Sequence, residues 1–331
     1  MKYRLIIITF FICFLSCDFI NKKPKVNSSH SCMPPKVFSK NNLENLKVTE
    51  FILNENTEGM IFVEGGEFEM GGDNNQAMQD EFPKHKVLVN SFWMDETEVT
   101  NNQFNEFVEA TGFITTAEKA IDWNEIKKIV PPGTPKPHDS LMAPASLIFY
   151  EIETENMNDF TQWWKLKKNT NWRNPLGKGS DINGKGDHPV IHISWDDALA
   201  YCKWAGKRLP TEAEFEYASR GGLNNNIYSW GNELIYEGKS KANTWEGKFP
   251  SNNNTNDQYY YTAPVKSFQP NGYGFYDLAG NVWEWCSDWY HSEYYKMSSK
   301  KIAINPKGPK SSYDPNEPYS PKKVMRGGSF L

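Results

Sequence analysis

Cysteine and histidine, which build many structural metal sites, are scarce in this sequence. The 331 residues include 5 Cys and 6 His, and they contain neither a C-x-x-C pair nor an H-E-x-x-H segment. The spacing of these residues therefore gives no support for a zinc site.

An excess of positive charge is also missing. The chain has 36 Lys and Arg against 41 Asp and Glu, a net charge of -5, so it has no electrostatic reason to bind nucleic acid. Hydrophobic residues make up only 38% of the chain, whereas 15% is aromatic, and Gly and Pro number 23 and 20. This composition predicts an irregular, loop-rich fold that packs around large aromatic side chains.

The one long apolar run lies at the N-terminus. Lys2 and Arg4 precede an apolar run over residues 5–15, which is typical of an export signal and short for a transmembrane helix. We predict a signal peptide over residues 1–16, so the protein is expected to leave the cytoplasm.

Cys17 follows this run directly. Phe14-Leu15-Ser16-Cys17 resembles a bacterial lipobox, in which the cysteine becomes the first mature residue and carries lipid. The alternative is an ordinary signal peptide with an incidental cysteine. Residues 17–57 are polar and lack periodicity, as in a tether. The expectation is an exported lipoprotein of the cell envelope, anchored to the membrane through Cys17.

Two cysteines, Cys202 and Cys286, fall beyond the tether. Oxidising compartments favour disulfides, but this pair is far apart in the chain and proves no bond. Trp195, Leu199 and Cys202 follow helical spacing on one face, which predicts a buried thiol for Cys202.

Local signals predict a few regular elements in the folded part. Residues 60–70 and 87–94 favour strands. Three predicted helices begin at a capping Ser or Thr: 100–112, 194–206 and 211–219. Residues 130–187, which are interrupted by Pro and Gly, are predicted to be irregular.

Nine segments in series resemble the formylglycine-generating, or sulfatase-modifying, enzyme family. They are 59–71, 92–100, 187–195, 200–214, 230–232, 242–245, 262–265, 271–285 and 326–330. The middle of the chain, with Trp163-Trp164 and residues 171–175, also resembles the sulfatase-modifying members. The likeness therefore covers the chain from about residue 59 to its end.

The resemblance implies a C-type-lectin-like α+β domain over residues 58–331, with little regular secondary structure. It implies oxidation of a cysteine in the Cys-x-Pro-x-Arg segment of sulfatases to formylglycine, with consumption of oxygen. The expected partner is then an unfolded or nascent sulfatase polypeptide. In the family, two cysteines near the C-terminus bind Cu(I) and carry the reaction, and soft thiolates suit that ion.

The position of the family's cysteine pair falls beyond this sequence. The first active cysteine of the family directly follows a Gly-Gly-Ser-aromatic-x segment, which here is Gly327-Gly-Ser-Phe-Leu331. No catalytic residue is therefore assigned within the 331 residues; the pair is expected after Leu331, and Cu(I) only with it. Trp283 and Ser329 match family positions that line the reaction pocket. Core packing and a turn are the alternative explanations for these two residues.

The resemblance also implies two calcium sites with oxygen ligands, which hard cations prefer. The first would use Asn243, Thr244 (backbone), Asp257 and Tyr259 (backbone), and the second Asp277, Gly280 (backbone), Val282 (backbone) and Glu284. The alternative is a set of turn-forming Asn and Asp residues with a satisfied Glu284. Because an unpaired carboxylate between two tryptophans is costly, Glu284 is expected to have a cation or an Arg partner.

His188 and His192 bracket Pro189-Val-Ile191 in a strand-like run that would turn both rings to one face. They are interpreted as structural histidines with satisfied hydrogen bonds, not as metal ligands.

Two function hypotheses follow. The first is an oxidase that installs formylglycine in exported sulfatases, and it predicts a cysteine pair after Leu331. The second is a non-catalytic, lipid-anchored binding or scaffold protein of the same fold. A third reading, an iron- or flavin-linked branch, would need ligand histidines that this sequence does not assemble.

Overall fold

The computed structural model describes residues 57–154, 156–157, 159–235 and 237–331. The predicted signal peptide, the tether up to residue 56 and the anchor Cys17 lie outside these residues. The described part contains eleven short strands, five α-helices and four 3-10 helices joined by long loops. This arrangement confirms the predicted α+β, loop-rich fold class.

The regular elements are short and spread along the chain. The strands are β1 Met60–Val63, β2 Gly66–Met70, β3 His85–Val89, β4 Phe92–Asp95, β5 Ala145–Phe149, β6 Trp164–Lys168, β7 Gly247–Lys248, β8 Asn252–Asn253, β9 Glu284–Trp289, β10 Ala303–Ile304 and β11 Lys323–Arg326. The α-helices are α1 Asn101–Thr111, α2 Trp123–Ile126, α3 Trp195–Trp204, α4 Glu212–Arg220 and α5 Tyr294–Ser298. No described helix combines the length and the apolar character needed to cross a membrane.

The strands form five small sheets in the described chain. β2 and β3 are antiparallel, and β10 joins β3 in parallel to complete a three-stranded sheet. The other four sheets are antiparallel pairs: β1 with β4, β5 with β6, β7 with β8 and β9 with β11. Gly65 lies between β1 and β2, where a Cβ would come within 2.5 Å of the backbone of Asn90 and Ser91. Only glycine fits at this close approach of two backbone segments. Residues 60–70 thus form two strands that belong to different sheets, β1 with β4 and β2 with β3.

The three predicted helices are confirmed with their capping residues. The side chains of Thr100, Ser194 and Thr211 each accept a hydrogen bond from the third backbone N–H of their helix. Gly112 ends α1 with a φ of 67°, the left-handed conformation that suits a glycine C-cap.

The prediction that residues 130–187 are irregular is only partly right. β5 and β6 pair within this stretch, with Phe149 opposite Trp164 and their ring centroids 6.0 Å apart. Such aromatic cross-strand pairs stabilise a two-stranded sheet. Trp163 is buried beside them and packs against Phe249.

Two hydrophobic clusters hold the domain together. The larger one gathers side chains from β2, β3, β4, α4, β9 and β11, including Phe92, Phe215 and Cys286. The smaller one packs α1 and α3 around Trp172, whose side chain is fully buried. The loops that carry the predicted ligands connect elements of the larger cluster.

Candidate functional site

An apolar pocket of about 390 Å³ opens between β4, α3 and the C-terminal segment. Trp283 and Ser329, the two predicted pocket residues, both lie on its wall together with Leu331. Trp283 is 53% exposed, so core packing does not explain this tryptophan. The structure therefore brings both predicted residues to one cavity at the end of the given chain.

The middle of the chain also contributes to the lining of this pocket. Leu147 and Phe149 of β5 and Trp164 of β6 line it. Tyr261 also lines it and meets the Phe330 ring edge-on, with centroids 5.9 Å apart. Large apolar surfaces of this kind exclude water and fit an uncharged segment of a ligand.

The prediction that Cys202 is a buried core thiol is wrong. Cys202 is only partly buried and lines the pocket from α3, whereas the buried residues of that helix are Asp197 and Tyr201. The predicted inward face of α3, with Trp195, Leu199 and Cys202, is only partly buried, and the buried residues lie on another face of the helix. Cys286 is the buried thiol, and it forms no disulfide with Cys202.

His192 lines the same pocket with both ring nitrogens engaged. Its Nδ1 lies 2.9 Å from Ser146 Oγ and its Nε2 lies 2.9 Å from the Pro175 carbonyl oxygen. The residue has a φ of 62°, so the strand-like conformation predicted for this run is wrong. His188 Nδ1 lies 3.0 Å from Thr262 Oγ1. Both rings have the hydrogen-bond partners expected of structural histidines.

Replacing His192 by Asn should reduce the loss of folding stability that occurs between pH 7 and pH 5. Burial lowers the pKa of His192 from 6.5 to about 4. Between these values the unfolded chain binds a proton that the folded protein excludes, so stability falls as the pH drops below 6.5. The expected loss from this group at pH 5 is about 2 kcal/mol. Urea unfolding at pH 7 and pH 5 measures it, and Asn tolerates the left-handed backbone.

His138→Asn is the matched control for this prediction, because His138 is exposed. It should leave the difference between the two pH values close to that of the unmodified protein. An equal pH dependence for the His192 variant and the unmodified protein would show that the buried ring does not titrate as described.

The first predicted calcium set forms one loop cluster. Each oxygen of the buried Asp257 carboxylate accepts a backbone N–H, from Thr244 at 3.2 Å and from Tyr259 at 2.9 Å. Burial raises the pKa of Asp257. Asn243 donates through Nδ2 to the Tyr261 carbonyl oxygen at 2.8 Å, and its Oδ1 is buried with no hydrogen-bond partner. The free amide oxygen is the atom of this cluster most suited to a cation.

The second predicted set surrounds the start of β9. Oε1 of Glu284 is buried without a partner, so a fully satisfied Glu284 is not what the structure contains. Burial, followed by the charges of Asp277 and Asp95, raises the pKa of Glu284 to about 8. Asp277 accepts a hydrogen bond of 2.7 Å from the Lys266 N–H. No Arg forms an ion pair with Glu284 among the described residues.

Gly280 brings the two predicted sets into contact. A Cβ at this position would lie 2.4 Å from the Asn243 carbonyl oxygen, and the residue has a φ of 89°. Its N–H donates to the Gly327 carbonyl oxygen at 2.8 Å. Glycine is required here because two backbones approach closely, which places Val282 and Glu284 beside the first loop and the pocket segment.

Glu98, which the sequence analysis did not single out, lies near Glu284 and Asp277 of the second set. Glu98 is 5% exposed and its Oε2 has no hydrogen-bond partner. Burial, then the charges of Glu284 and Asp277, hold its pKa well above the usual range. The sequence contained a hint of this burial. Glu98 stands directly before the hydrophobic Val99 and before Thr100, the cap of α1. Three carboxylates thus share one buried region.

Among the described residues, no group of three or more His, Cys, Asp or Glu side chains could hold a metal ion by itself. A cation at either predicted site would therefore need amide and backbone oxygens as well as carboxylates. Calcium accepts such mixed oxygen ligands, six to eight in number. The buried oxygens of Asn243, Glu98 and Glu284 that lack partners fit this chemistry.

Comparisons with known proteins agree with the family that the motifs resemble. A model of the sulfatase-modifying factor enzyme 1-like domain matches residues 48–331. The formylglycine-generating enzyme of Thermomonospora curvata is 41% identical over 280 residues, which cover 84% of this chain and 84% of that enzyme. The inactive C-alpha-formylglycine-generating enzyme 2 of Bos taurus is 38% identical over 247 residues, which cover 72% of this chain and 73% of that protein.

A solved structure supports the fold. PvdO from Pseudomonas aeruginosa matches with a TM-score of 0.50 and 21% sequence identity over 82% of each chain. Identity at this level concerns the fold alone, whereas the family rests on the sequence matches. The chain belongs to the sulfatase-modifying factor family, whose members include formylglycine-generating enzymes.

Proposed function

We propose that this protein oxidises the cysteine of the Cys-x-Pro-x-Arg segment of sulfatases to formylglycine, with reactive thiols supplied by residues after Leu331. The observation that carries the proposal is the position of the C-terminal segment. Ser329 and Leu331 line the same pocket as Trp283 and as residues of β5 and β6. A residue joined to Leu331 would therefore lie close to the pocket.

The pocket residues suit such a substrate. An exposed Trp283 and the apolar walls from β5 and β6 give an unfolded or nascent sulfatase polypeptide a surface on which to dock. Exclusion of water strengthens the interactions inside the cavity. The chemistry of oxygen would come from Cu(I) held by the cysteine pair, since thiolates select that ion.

The 331-residue chain alone is expected to leave a Cys-x-Pro-x-Arg peptide unchanged, because it has no cysteine pair beside Leu331. A chain extended through the natural codons after Leu331 should convert the peptide, provided that they encode the pair. Mass spectrometry of the peptide after incubation with copper, reductant and oxygen measures the conversion.

Two controls sharpen this experiment. Replacing the added cysteines by Ser should abolish conversion, and a peptide with Ala for its Arg should react poorly. Formylglycine formed by the 331-residue chain itself would show that the thiols have been assigned wrongly. Codons after Leu331 that contain no cysteine would overturn the oxidase proposal.

A non-catalytic binding protein of the same fold is the second candidate function. The 38% identity to an inactive formylglycine-generating enzyme 2 favours it. Such a protein would bind the Cys-x-Pro-x-Arg peptide in the pocket without converting it. Peptide binding by an extended chain that lacks the cysteine pair would support this candidate.

We propose further that the two oxygen-lined loops bind calcium. The support is the set of buried oxygens without partners on Asn243, Glu98 and Glu284. Calcium would neutralise the buried carboxylates and tie the loop at residues 243–259 to the loop at residues 277–284. Glu98 joins the proposed ligands of the second loop.

Export and lipid attachment at Cys17 are proposed from the pattern at residues 1–17. Replacing Cys17 by Ser is expected to abolish incorporation of a labelled fatty acid into the protein, because Cys17 is the proposed site of the lipid chain. Gel analysis of the labelled protein measures the incorporation, with Cys32→Ser as the matched control. Unchanged labelling of the Cys17 variant would contradict the anchor.

A further inference from the structure

Asn281 is buried between the two proposed calcium loops, with 1% of its surface exposed. Its Oδ1 accepts hydrogen bonds from Asn243 Nδ2 at 3.0 Å and from the Ala263 N–H at 2.8 Å. Its Nδ2 donates to Glu98 Oε1 at 3.0 Å and to the Ala263 carbonyl oxygen at 3.3 Å. The two polar groups of Ala263 show which end of the amide is its oxygen and which its nitrogen, because an N–H only donates and a carbonyl only accepts.

Each side-chain partner of Asn281 also has a side-chain oxygen without a hydrogen-bond partner. Asn243 Oδ1 is buried without a partner in the first loop, and Glu98 Oε2 is buried without a partner in the second. One atom of each partner thus bonds Asn281 while another is available to a cation. A cation on either free oxygen would hold the partner, and through it the Asn281 amide, in one position.

The backbone of Asn281 extends this connection to the pocket. Its N–H donates to the Asn243 carbonyl oxygen at 2.8 Å, and its carbonyl oxygen accepts from the Phe330 N–H at 2.9 Å. Phe330 belongs to the pocket wall. The φ of 58° at Asn281 is the left-handed conformation that Asn adopts more easily than most residues. A single residue therefore contacts both proposed ligand sets and the segment that faces the pocket.

We propose that Asn281 is a positioning residue that couples the two calcium loops to each other and to the pocket segment at residues 327–331. The proposal rests on calcium binding as proposed above. The first cation orders the Asn281 amide, so the second cation binds to ligands that are already ordered and its binding costs less conformational entropy. The coupling is therefore positive, and it must be reciprocal between the sites.

Calorimetric titration with calcium tests the coupling in a variant cycle. Asp257→Asn disables the first site and Glu284→Gln disables the second, so each reports the affinity of the remaining site alone. The affinity of either site should fall about fivefold or more when the other is disabled. This comparison keeps Asn281 itself unchanged, so it does not depend on how well an Asn281 variant folds.

The same cycle is then repeated in the Asn281→Gly variant. There, the calcium affinity of either site should change by less than about twofold when the other site is disabled. Glycine keeps the left-handed backbone and removes only the amide. Asn305→Gly is the matched control, since Asn305 also has a positive φ, of 44°, and bonds Asn90 instead of the calcium loops. In the Asn305→Gly variant, disabling one site should still lower the affinity of the other about fivefold or more.

Hydrogen exchange gives a second readout. Calcium should slow exchange of the Phe330 amide in the unmodified protein and have a smaller effect on it in Asn281→Gly. A merely structural asparagine would change the calcium-free exchange rate but not the response to calcium.

The outcomes distinguish failure of the coupling through Asn281 from failure of calcium binding itself. Two sites that bind independently in the unmodified protein would overturn the coupling and leave calcium binding intact. Calcium that gives no heat and no protection would overturn both. Coupling that survives in Asn281→Gly would assign the connection to the Gly280 backbone contact instead and overturn the role of Asn281. Loss or presence of oxidase activity affects none of these results.

Discussion

Replacing Arg326 by Met is expected to lower the free energy of unfolding by about 3–5 kcal/mol, the usual cost of removing one partner from a buried charge network. The Arg326 guanidinium contacts Glu81 Oε1 at 3.0 Å, Glu216 Oε2 at 2.7 Å and Glu212 Oε1 at 3.6 Å. Burial alone raises the pKa of Glu216, but the charges of Arg326 and Arg220 outweigh it and lower that pKa. Without Arg326, two buried glutamates lose their main cationic partner.

Urea unfolding measures this loss of free energy, and the Tm should fall by roughly 2–4 °C for each kcal/mol. Lys86→Met is the matched control, because Lys86 and Glu67 form an exposed ion pair at 2.8 Å. It should cost less than about 1 kcal/mol. Equal, small losses in both variants would mean that Arg326 is hydrated and the network contributes little.

Arg326 also has a place in the site, because it ends β11 and leads directly into the pocket segment. Its ion pairs to α4 fix the point from which residues 327–331 depart. We therefore expect the Arg326 variant to lose peptide binding together with stability, whereas the Lys86 variant should keep both.

What the sequence predicted well is what short-range contacts determine. The caps of α1, α3 and α4 depend on hydrogen bonds across three residues, from Thr100, Ser194 and Thr211. Such contacts are visible in the order of the residues. The position of Trp283 and Ser329 on one pocket came instead from a resemblance, since neither residue type marks a pocket by itself.

What the sequence did not predict depends on distant contacts. The parallel pairing of β10 with β3 joins segments that no local pattern connects. Glu98 escaped notice because its hydrogen-bond partner Asn281 lies 183 positions away. Helical periodicity assigned Cys202 to the core, whereas the buried residues of α3 are Asp197 and Tyr201 and Cys202 lines the pocket. Periodicity does not distinguish a core from the wall of a cavity.

Calcium is expected to stabilise the unmodified protein by about 3–4 kcal/mol for each site when its concentration is 100 to 1,000 times the Kd. The reason is that a folded-state ligand adds its binding free energy to stability. Here the buried oxygens of Asn243, Glu98 and Glu284 lack partners, so the folded protein gains contacts that the unfolded chain cannot offer in this arrangement. Urea unfolding with calcium and with a chelator measures the difference.

Glu284→Gln should lose the contribution of the second site, since an amide keeps one oxygen but loses the charge that attracts the ion. In chelator, the variant should be as stable as the unmodified protein or more stable, because it no longer buries a carboxylate without a partner. The order of the two proteins is therefore expected to reverse when calcium is added. Glu293→Gln, at an exposed residue, is the matched control and should follow the unmodified protein in both conditions.

This reversal separates a ligand from a structural residue. A Glu284 that only packed against its neighbours would give one difference in stability, equal with calcium and with chelator. A variant that gains as much from calcium as the unmodified protein would remove Glu284 from the site. A smaller gain, with the first loop still responding through Asn243 and Asp257, would assign Glu284 to the second cation, because only that ion depends on its charge.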